Sequence, residues 1–193
     1  MRVNILCVQE TKWKGQKTKE VEDTGFKLWY TGATSGRNGV GILIDRSLTD
    51  GVIEVRRRGD QIILVRMVVG DSALNVISAY APQVGLSEST KRQFWEDLDS
   101  MVSTLPISEK LFIGDLNGHV GATNVGFERV HGGFGYGSRS QEGEEVLNFA
   151  LAYDLLIANT LFRKRESHLV TFRSGQHSGQ IDFICNDPAR ENG

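Results

Sequence analysis

The apolar run Leu111-Phe112-Ile113 ends in the string Gly114-Asp115-Leu116-Asn117. A run that is apolar on both faces is typical of a strand in the centre of a sheet. Side chains two residues apart in a strand point the same way, so the spacing predicts that Asp115 and Asn117 project together from its carboxyl end. Sheet enzymes hold their catalytic groups at such ends. The alternative is an Asx turn that only terminates the strand.

Two further acidic residues lie in or after apolar runs. Glu10 follows the run 4–7 in the string Val8-Gln9-Glu10-Thr11, and Asp182 lies within the segment 180–184. Carboxylates at the ends of separate strands supply the oxygen ligands that a hard divalent cation requires. The pattern therefore predicts a site that gathers Glu10, Asp115 and Asp182. The alternative for Glu10 is an ordinary surface acid, and a buried Asp182 needs a hydrogen-bonding partner.

The charge balance argues against a chain drawn to nucleic acid by its overall field. The formal net charge is −2, so no overall positive field attracts nucleic acid. The length of 193 residues and the hydrophobic content of 39% are enough for one domain with a core. A polyanionic partner would have to be held by local patches and a metal ion. The candidates are Arg56-Arg57-Arg58 and Arg163-Lys164-Arg165, and the alternative for each is a solvated hairpin or loop.

The two cysteines, Cys7 and Cys185, both fall in apolar strand-like runs. Isolated cysteines in such settings indicate buried thiols and not a disulfide framework or a zinc site. This usage favours a reducing compartment. The first residues lack the apolar stretch of a secretory signal and no run is long enough to span a membrane, so we expect a nuclear or cytoplasmic protein without a membrane partner.

Ten short segments have the composition of strands, and two have the periodicity of helices. The strand-like segments are residues 3–8, 27–31, 40–44, 52–56, 62–69, 74–80, 110–113, 155–158, 170–172 and 181–185. Helices are predicted at about 87–102, with Ser87 as N-cap, and at about 142–153. Gly70-Asp71 between two strands is a type I′ or II′ hairpin signal. Hairpin strands with two helices predict an α/β sandwich of two packed sheets in a single domain, 1–193.

The stretch 118–143 is rich in glycine and predicts a long surface loop after the Asp115 strand. Long loops in compact domains are often functional. The alternative is a flexible insertion with no role.

Five strings occur in order along the chain. They are Val8-Gln9-Glu10-Thr11-Lys12, Tyr80-Ala81-Pro82, Gly114-Asp115-Leu116-Asn117, Val170-Thr171-Phe172 and Gln180-Ile181-Asp182-Phe183. Together they resemble the endonuclease/exonuclease/phosphatase superfamily, which includes deoxyribonuclease I and the apurinic endonucleases. A closer resemblance is to the endonuclease domain of LINE-type (non-LTR) retrotransposons and to the craniofacial development protein 2-like proteins derived from them. It is carried by Thr11-Lys12-Trp13-Lys14-Gly15, Arg37-Asn38-Gly39-Val40-Gly41, Ser78-Ala79-Tyr80-Ala81-Pro82-Gln83-Val84-Gly85 and Asn117-Gly118-His119-Val120-Gly121.

The resemblance implies a phosphodiesterase that nicks DNA and depends on Mg²⁺, with Mn²⁺ as a substitute. It implies that Glu10 binds the metal and that Tyr80 contacts a phosphate. Asp115 would activate or orient the attacking water, and Asn117 would hold the scissile phosphate. Asp182 matches the aspartate that orients a catalytic histidine.

Three further residues are expected to contact the substrate. The resemblance places Thr171 at a position that lines the DNA groove in the retrotransposon enzymes. Arg173 flanks that segment and is a candidate phosphate contact. Asn159 ends the run 155–158 and is a candidate for approaching the site, with a role in a turn as the alternative.

Two elements of the family pattern have no counterpart in the sequence. These are an opening strand that ends in asparagine and a closing acid–histidine motif. The resemblance therefore implies a four-layer α/β sandwich of the deoxyribonuclease I-like type, truncated at both ends, with weak or no nicking by the chain alone. Whether the chain is an enzyme stays open. The alternatives are a catalytically inactive interaction or chromatin-associated module and a phosphatase for a small phosphorylated substrate.

Overall fold

The computed structural model describes residues 3–82, 85–174, 177–180 and 183–186. The chain divides into two compact units. The first unit comprises Met1–Pro82 and Leu86–Ile113, and the second comprises Gln83–Gly85 and Gly114–Gly193.

The first unit contains a four-stranded antiparallel sheet with the order β1-β4-β3-β2. Its strands are β1 (Ile5–Val8), β2 (Gly15–Val21), β3 (Phe26–Gly32) and β4 (Val40–Asp45). β1 and β2 are therefore the edge strands. β2 reads GQKTKEV and has no apolar alternation, so its composition did not predict a strand. It forms because its backbone pairs with β3 along its whole length.

Four more strands, adjacent in chain order, form the second layer of this unit. They are β5 (Val52–Arg58), β6 (Ile62–Val69), β7 (Ser72–Ala79) and β8 (Lys110–Gly114). Val69 pairs with Ser72, so the β6–β7 hairpin has the two-residue turn predicted from Gly70-Asp71. Gly70 has a φ of 59°, and the positive φ at the first turn residue alone is the feature of a type II′ turn.

An apolar cluster joins the two layers of the first unit. Trp29 and Ile42 from the four-stranded sheet and Ile63 and Val65 from β6 belong to it, and Tyr80 lies at its margin with 8% of its surface exposed. Burying this surface removes it from water, which is the main force that holds a sandwich together. The α/β class and the two packed sheets predicted from the sequence are confirmed.

Helix α1 (Glu88–Val102) begins after the N-cap Ser87, whose hydroxyl accepts a hydrogen bond from the Thr90 backbone N–H at 3.3 Å. Its buried side chains include Phe94, Leu98 and Met101, at the spacing that predicted the helix. Its position is confirmed to within one residue.

The second unit contains helix α2 (Gln141–Ala152), capped by Ser140, and short strands. These strands are β9 (Leu156–Ile157), β10 (Phe172–Ser174), β11 (His177–Gly179) and β12 (Ile184–Asn186). β12 pairs with β9 through Cys185 and Ile157, and β10 with β11. The predicted strand at 170–172 is thus shifted towards the carboxyl terminus. Neither α1 nor α2 is long and apolar enough to cross a membrane, and this holds for all described residues.

The glycine-rich segment 118–143 is packed against its own unit. The Arg139 guanidinium donates hydrogen bonds to the backbone carbonyls of Val120, Thr123 and Val125 at 2.8–3.4 Å and lies 4.5 Å from the centre of the Phe127 ring. One cation thus gathers three carbonyls of the loop. The segment therefore has internal contacts of its own, and its functional role stays a prediction.

Candidate functional site

Glu10 and Tyr80 meet at the ends of two strands of the first unit. Glu10 follows β1 and is exposed, and Tyr80 follows β7 with its ring in the apolar cluster. The Tyr80 hydroxyl donates a hydrogen bond to Glu10 Oε1 over 2.5 Å. Glu10, which the resemblance implies binds the metal, and Tyr80, which it implies contacts a phosphate, are therefore in direct contact with each other.

Side-chain bonds fix the position of β1 against β7 next to this pair. Gln9 Nε2 donates to Ser78 Oγ at 3.2 Å, and Ser78 Oγ donates to the Val8 carbonyl at 3.3 Å. The Tyr80 backbone N–H donates to the Gln61 carbonyl at 2.9 Å. Gln61 Nε2 returns a bond to the Tyr80 carbonyl at 2.9 Å. The backbones next to Glu10 and at Tyr80 are thus held by hydrogen bonds to neighbouring segments.

The backbone of Glu10 is in the left-handed region, with a φ of 48°. This conformation costs an L-residue roughly 1–2 kcal/mol. Asparagine and aspartate tolerate it because their short side chains bond locally, and glutamate has no such advantage. Strained residues of this kind cluster at functional sites, where the surrounding structure holds them in place.

The loop after Glu10 is held by backbone bonds to the segment before β4. The Thr11 N–H donates to the Gly39 carbonyl at 3.0 Å, and the Lys12 N–H donates to the Asn38 carbonyl at 2.9 Å. A Cβ at Gly39 would lie 2.3 Å from Thr11 Oγ1, and Gly39 has a φ of 92°. Only glycine suits this position. The strings Thr11–Gly15 and Arg37–Gly41, which carried the closer resemblance, are the two sides of this contact.

Asp115 and Asn117 lie in the second unit, directly after β8. Both are half-buried, and both have left-handed backbones, with φ of 56° and 48°. The Asn117 N–H donates to Asp115 Oδ1 at 3.2 Å, which is an Asx turn. Because β8 ends at Gly114, the strand periodicity that predicted a common direction for the Asp115 and Asn117 side chains does not extend to them. The turn that the sequence left as an alternative is present, and the catalytic roles stay predictions.

A close backbone approach fixes the chain just after Asn117. A Cβ at Gly118 would lie 2.8 Å from the Glu142 carbonyl carbon, and one at Gly143 would lie 1.8 Å from the His119 carbonyl oxygen. The amino-terminal turn of α2 therefore rests directly on the backbone 118–119. The string Asn117-Gly118-His119-Val120-Gly121 has its glycine here because a side chain would not fit.

The remaining predicted site residues are only partly described. Asn159 lies in the short 3₁₀ turn Ala158–Thr160, and its Oδ1 accepts a hydrogen bond from the Ile184 N–H at 2.9 Å. This contact supports the structural role that was its alternative. Thr171 is exposed, Arg173 lies in β10, and Asp182 lies outside the described residues. The assignments of these four residues stay predictions.

The candidate basic patches differ in what holds them. Arg56 donates two hydrogen bonds to Glu54, at 2.7 and 3.0 Å, and Arg57 Nε donates to the Tyr30 carbonyl at 3.3 Å. The guanidinium groups of these two arginines are therefore already hydrogen-bonded within the protein. The cluster at 163–165 is exposed. The sequence pattern did not point to the lysines of β2 and of the loop before it. A run of consecutive cations marks a basic patch, and these lysines are separated from one another by other residues.

Glu10 offers a single exposed carboxylate to a metal ion. No group of three His, Cys, Asp or Glu side chains with metal-binding geometry occurs among residues 3–82, 85–174, 177–180 and 183–186. Mg²⁺ is commonly bound through one or two carboxylates plus substrate phosphates, with several waters retained. An exposed carboxylate whose Oε1 is fixed by Tyr80 is compatible with that mode.

The burial expected for the two cysteines is confirmed for Cys185 and only in part for Cys7. Cys7 is half-buried and Cys185 is fully buried, and neither forms a disulfide within the part of the chain that the structure describes. Burial raises the pKa of Cys185 to about 12, so this thiol stays protonated and is not a nucleophile.

No family model matches the chain. Craniofacial development protein 2 of Bos taurus is 31% identical over 188 residues, which are 95% of this chain and 31% of that protein. The same protein of Tragulus javanicus is also 31% identical, over 95% of this chain and 32% of its own length. The chain thus spans about a third of the length of the curated relatives it matches.

Solved structures share the fold at low sequence identity. The endonuclease domain of TRAS1, a telomere-specific non-LTR retrotransposon, aligns with a TM-score of 0.57 and 14% identity over 86% of this chain and 68% of its own. The AP endonuclease LMAP from Leishmania major gives 0.62 and 12% over 96% and 70%. An endonuclease/exonuclease/phosphatase family protein from Leptotrichia buccalis gives 0.57 and 12% over 95% and 75%.

Proposed function

Since this chain is a homologue of craniofacial development protein 2 with the endonuclease/exonuclease/phosphatase fold, we propose that it is a Mg²⁺-dependent phosphodiesterase-like domain that nicks DNA, with the weak activity expected from its sequence. The fold it shares with TRAS1 and LMAP, an endonuclease domain and an AP endonuclease, supports this substrate class over a small phosphorylated molecule. The same likeness to TRAS1 supports an origin in a non-LTR retrotransposon.

The observation that carries the proposal is the state of Glu10. Its backbone is left-handed at φ 48°, its carboxylate is exposed, and the buried Tyr80 ring delivers a hydroxyl to one of its oxygens. The arrangement holds one carboxylate at a fixed position, as a cation ligand requires.

The chemistry asks the protein to manage negative charge. A phosphodiester is an anion, so its hydrolysis needs groups that stabilise the charge that develops in the transition state. A Mg²⁺ bound by Glu10 would supply that positive charge. Tyr80 keeps the Glu10 carboxylate in one orientation by donating to Oε1. We assign to Asp115 the orientation of the attacking water and to Asn117 a hydrogen bond from its amide to a phosphate oxygen.

The test compares two isosteric acid-to-amide variants on supercoiled plasmid. Glu10→Gln removes the charge and keeps the shape of the side chain, and we expect loss of Mg²⁺-dependent nicking. Glu22→Gln makes the same change at an exposed acid just after β2 and should nick as the wild type does. Slow nicking is sufficient, because the comparison is between variants. Equal nicking by Glu10→Gln and wild type would overturn the assignment of the metal to Glu10.

A second comparison tests the role of Asp115 separately. Asp115→Asn retains the acceptor oxygen of the Asx turn, so the fold of the loop should be kept. Loss of nicking with an unchanged melting temperature supports a role in the reaction. Unchanged nicking would leave Asp115 as a turn residue only.

A further inference from the structure

Lysines and one tryptophan lie in the loop that follows Glu10 and along the edge strand β2 of the four-stranded sheet. This basic strip consists of Lys12, Trp13 and Lys14 in the loop after β1, and of Lys17 and Lys19 in the edge strand β2. It begins two residues after Glu10 and belongs to the same unit. The strip is therefore continuous in the chain with the proposed metal-binding carboxylate.

The strip concentrates positive charge on a chain whose net charge is −2. All of its residues are exposed, and no acid interrupts the stretch 12–19. Within the described part of the chain, its lysines form no ion pair with a carboxylate. The next acid, Glu20, is paired instead with Arg46 at 2.9 Å and with Lys27 at 3.9 Å. The charge of the strip is thus available to an anionic partner.

Aromatic contacts order one end of the strip. Lys19 Nζ lies 4.1 Å from the centre of the Trp13 ring and 5.9 Å from that of Tyr30. Trp13 stands edge-on to Tyr30, with 5.4 Å between the ring centres and 43% of its surface exposed. Tyr30 itself is buried. Cation–π contacts of this kind hold an ammonium group in place without neutralising it.

The spacing of the strip matches a nucleic-acid backbone. Lys17 pairs with Tyr30 and Lys19 with Leu28 across β3, so both lysines are on one face of the sheet. Two residues of a strand span about 6.8 Å. The axial rise from one phosphate to the second phosphate along the same DNA strand is also about 6.8 Å, because each step is about 3.4 Å. Exposed cations beside an aromatic ring are the typical components of a surface that follows a phosphate backbone.

We propose that the basic strip binds the phosphate backbone of DNA that flanks the phosphodiester at Glu10. This deepens the proposed function and rests on it for the identity of the polyanion. The strip supplies affinity and orientation without base recognition, since lysine side chains meet phosphates as point charges. It also explains how a chain with negative net charge holds a polyanion: the contact is local.

The experiment measures binding of a fluorescein-labelled DNA duplex in EDTA by anisotropy over about 50–200 mM KCl. Lys17→Gln/Lys19→Gln removes two proposed phosphate contacts. Because each contact contributes about 0.9 to the slope of log K against log salt, we expect the slope to fall by about 1.8. Arg92→Gln/Arg129→Gln removes the same charge from exposed positions on α1 and in the second unit and should leave the slope unchanged. Lys17→Arg/Lys19→Arg retains the charge and should retain the slope.

The outcomes separate this inference from the proposed function. An equal fall of the salt slope in the lysine-to-glutamine and arginine-to-glutamine double variants would overturn the proposal that the basic strip binds DNA. Absence of duplex binding by the wild type would overturn it as well. Loss of slope in Lys17→Gln/Lys19→Gln alone supports it. If the slope falls in Lys17→Gln/Lys19→Gln but the wild type shows no Mg²⁺-dependent nicking, the basic strip is retained and the proposed enzyme is refuted. If the wild type nicks DNA but the slope of Lys17→Gln/Lys19→Gln is unchanged, the proposed enzyme is retained and the basic strip is refuted.

Discussion

The hydroxyl of Tyr80 is hydrogen-bonded to the carboxylate of Glu10 across 70 positions of sequence. The Tyr80 ring is fixed by the apolar cluster between the two sheets, so the packing of the core determines where its hydroxyl lies. Glu10 reaches that hydroxyl from a left-handed backbone at the end of an edge strand. The proposed metal ligand is therefore positioned by the core of the first unit and not by its own loop alone.

Tyr80→Phe should separate positioning from packing. The ring is kept, so we expect the free energy of unfolding to fall by only about 1 kcal/mol, the usual value of one hydrogen bond. Mg²⁺-dependent nicking should fall by about tenfold to a hundredfold, because the carboxylate is no longer held. Urea unfolding and plasmid nicking measure the two effects, with Tyr153→Phe as the control for a lost hydroxyl elsewhere. Wild-type nicking by Tyr80→Phe would show that the bond only stabilises the fold.

The strain at Glu10 predicts an inverted order of two substitutions. Alanine is normally better than glycine in ordered structure by roughly 0.5–1 kcal/mol. At the φ of 48° found for Glu10, alanine bears the left-handed penalty of roughly 1–2 kcal/mol and glycine does not. We therefore expect Glu10→Gly to be more stable than Glu10→Ala by about 0.5–1 kcal/mol. The same pair at exposed Gln16 in β2 should show the ordinary order, and an ordinary order at Glu10 would mean that its backbone is not strained.

The helices could be predicted because their signals are local. Ser87 caps α1, and Phe94, Leu98 and Met101 recur at helical spacing, so neighbours in sequence are sufficient. The same holds for Gly70-Asp71, where the turn chemistry is contained in two residues. The order of β1 and β4 in their sheet has no such local signal, since strands that pair lie far apart in sequence.

The sequence predicted the place of Asp115 and Asn117 in the fold but not their backbone geometry. Asp115 and Asn117 stand where they were expected, directly after a strand, but a left-handed backbone at both breaks the alternation that was used to aim them. β2 was missed because its side chains are nearly all polar and its pairing is through the backbone. The basic strip was missed for the same reason: its lysines become one surface only when β2 is recognised as a strand.

Burial of His131 predicts a pH-dependent stability of the second unit. Its Nδ1 accepts a hydrogen bond from the Gly133 N–H at 3.0 Å, so this nitrogen is unprotonated and Nε2 donates to the Gly121 carbonyl at 3.1 Å. Burial, together with the nearby Arg139, lowers the pKa of His131. A lowered folded-state pKa means that the unfolded chain binds the proton more readily.

The stabilisation is therefore complete above the unfolded pKa of about 6.5 and is lost as the pH falls towards the lowered folded-state pKa. We expect the urea midpoint of the wild type to drop as the pH falls below about 6.5. His131→Gln, which does not titrate, should show a shallower dependence, whereas His168→Gln removes an exposed imidazole and should follow the wild type. A wild-type pH profile in His131→Gln would show that this imidazole does not control the transition.

Gly143 in α2 predicts an alanine substitution that destabilises a helix. Alanine in a helix interior is normally favoured over glycine by roughly 1 kcal/mol. Here a Cβ would lie 1.8 Å from the His119 carbonyl oxygen, so α2 and the backbone after Asn117 would have to separate. We expect Gly143→Ala to lower the free energy of unfolding by about 1–3 kcal/mol, the usual cost of overpacking. Glu144→Ala, at the next and exposed position, should be close to neutral. Because the helix supports the Asp115–Asn117 turn, nicking should fall with Gly143→Ala even where the protein remains folded, and a stabilised, fully active variant would contradict the contact.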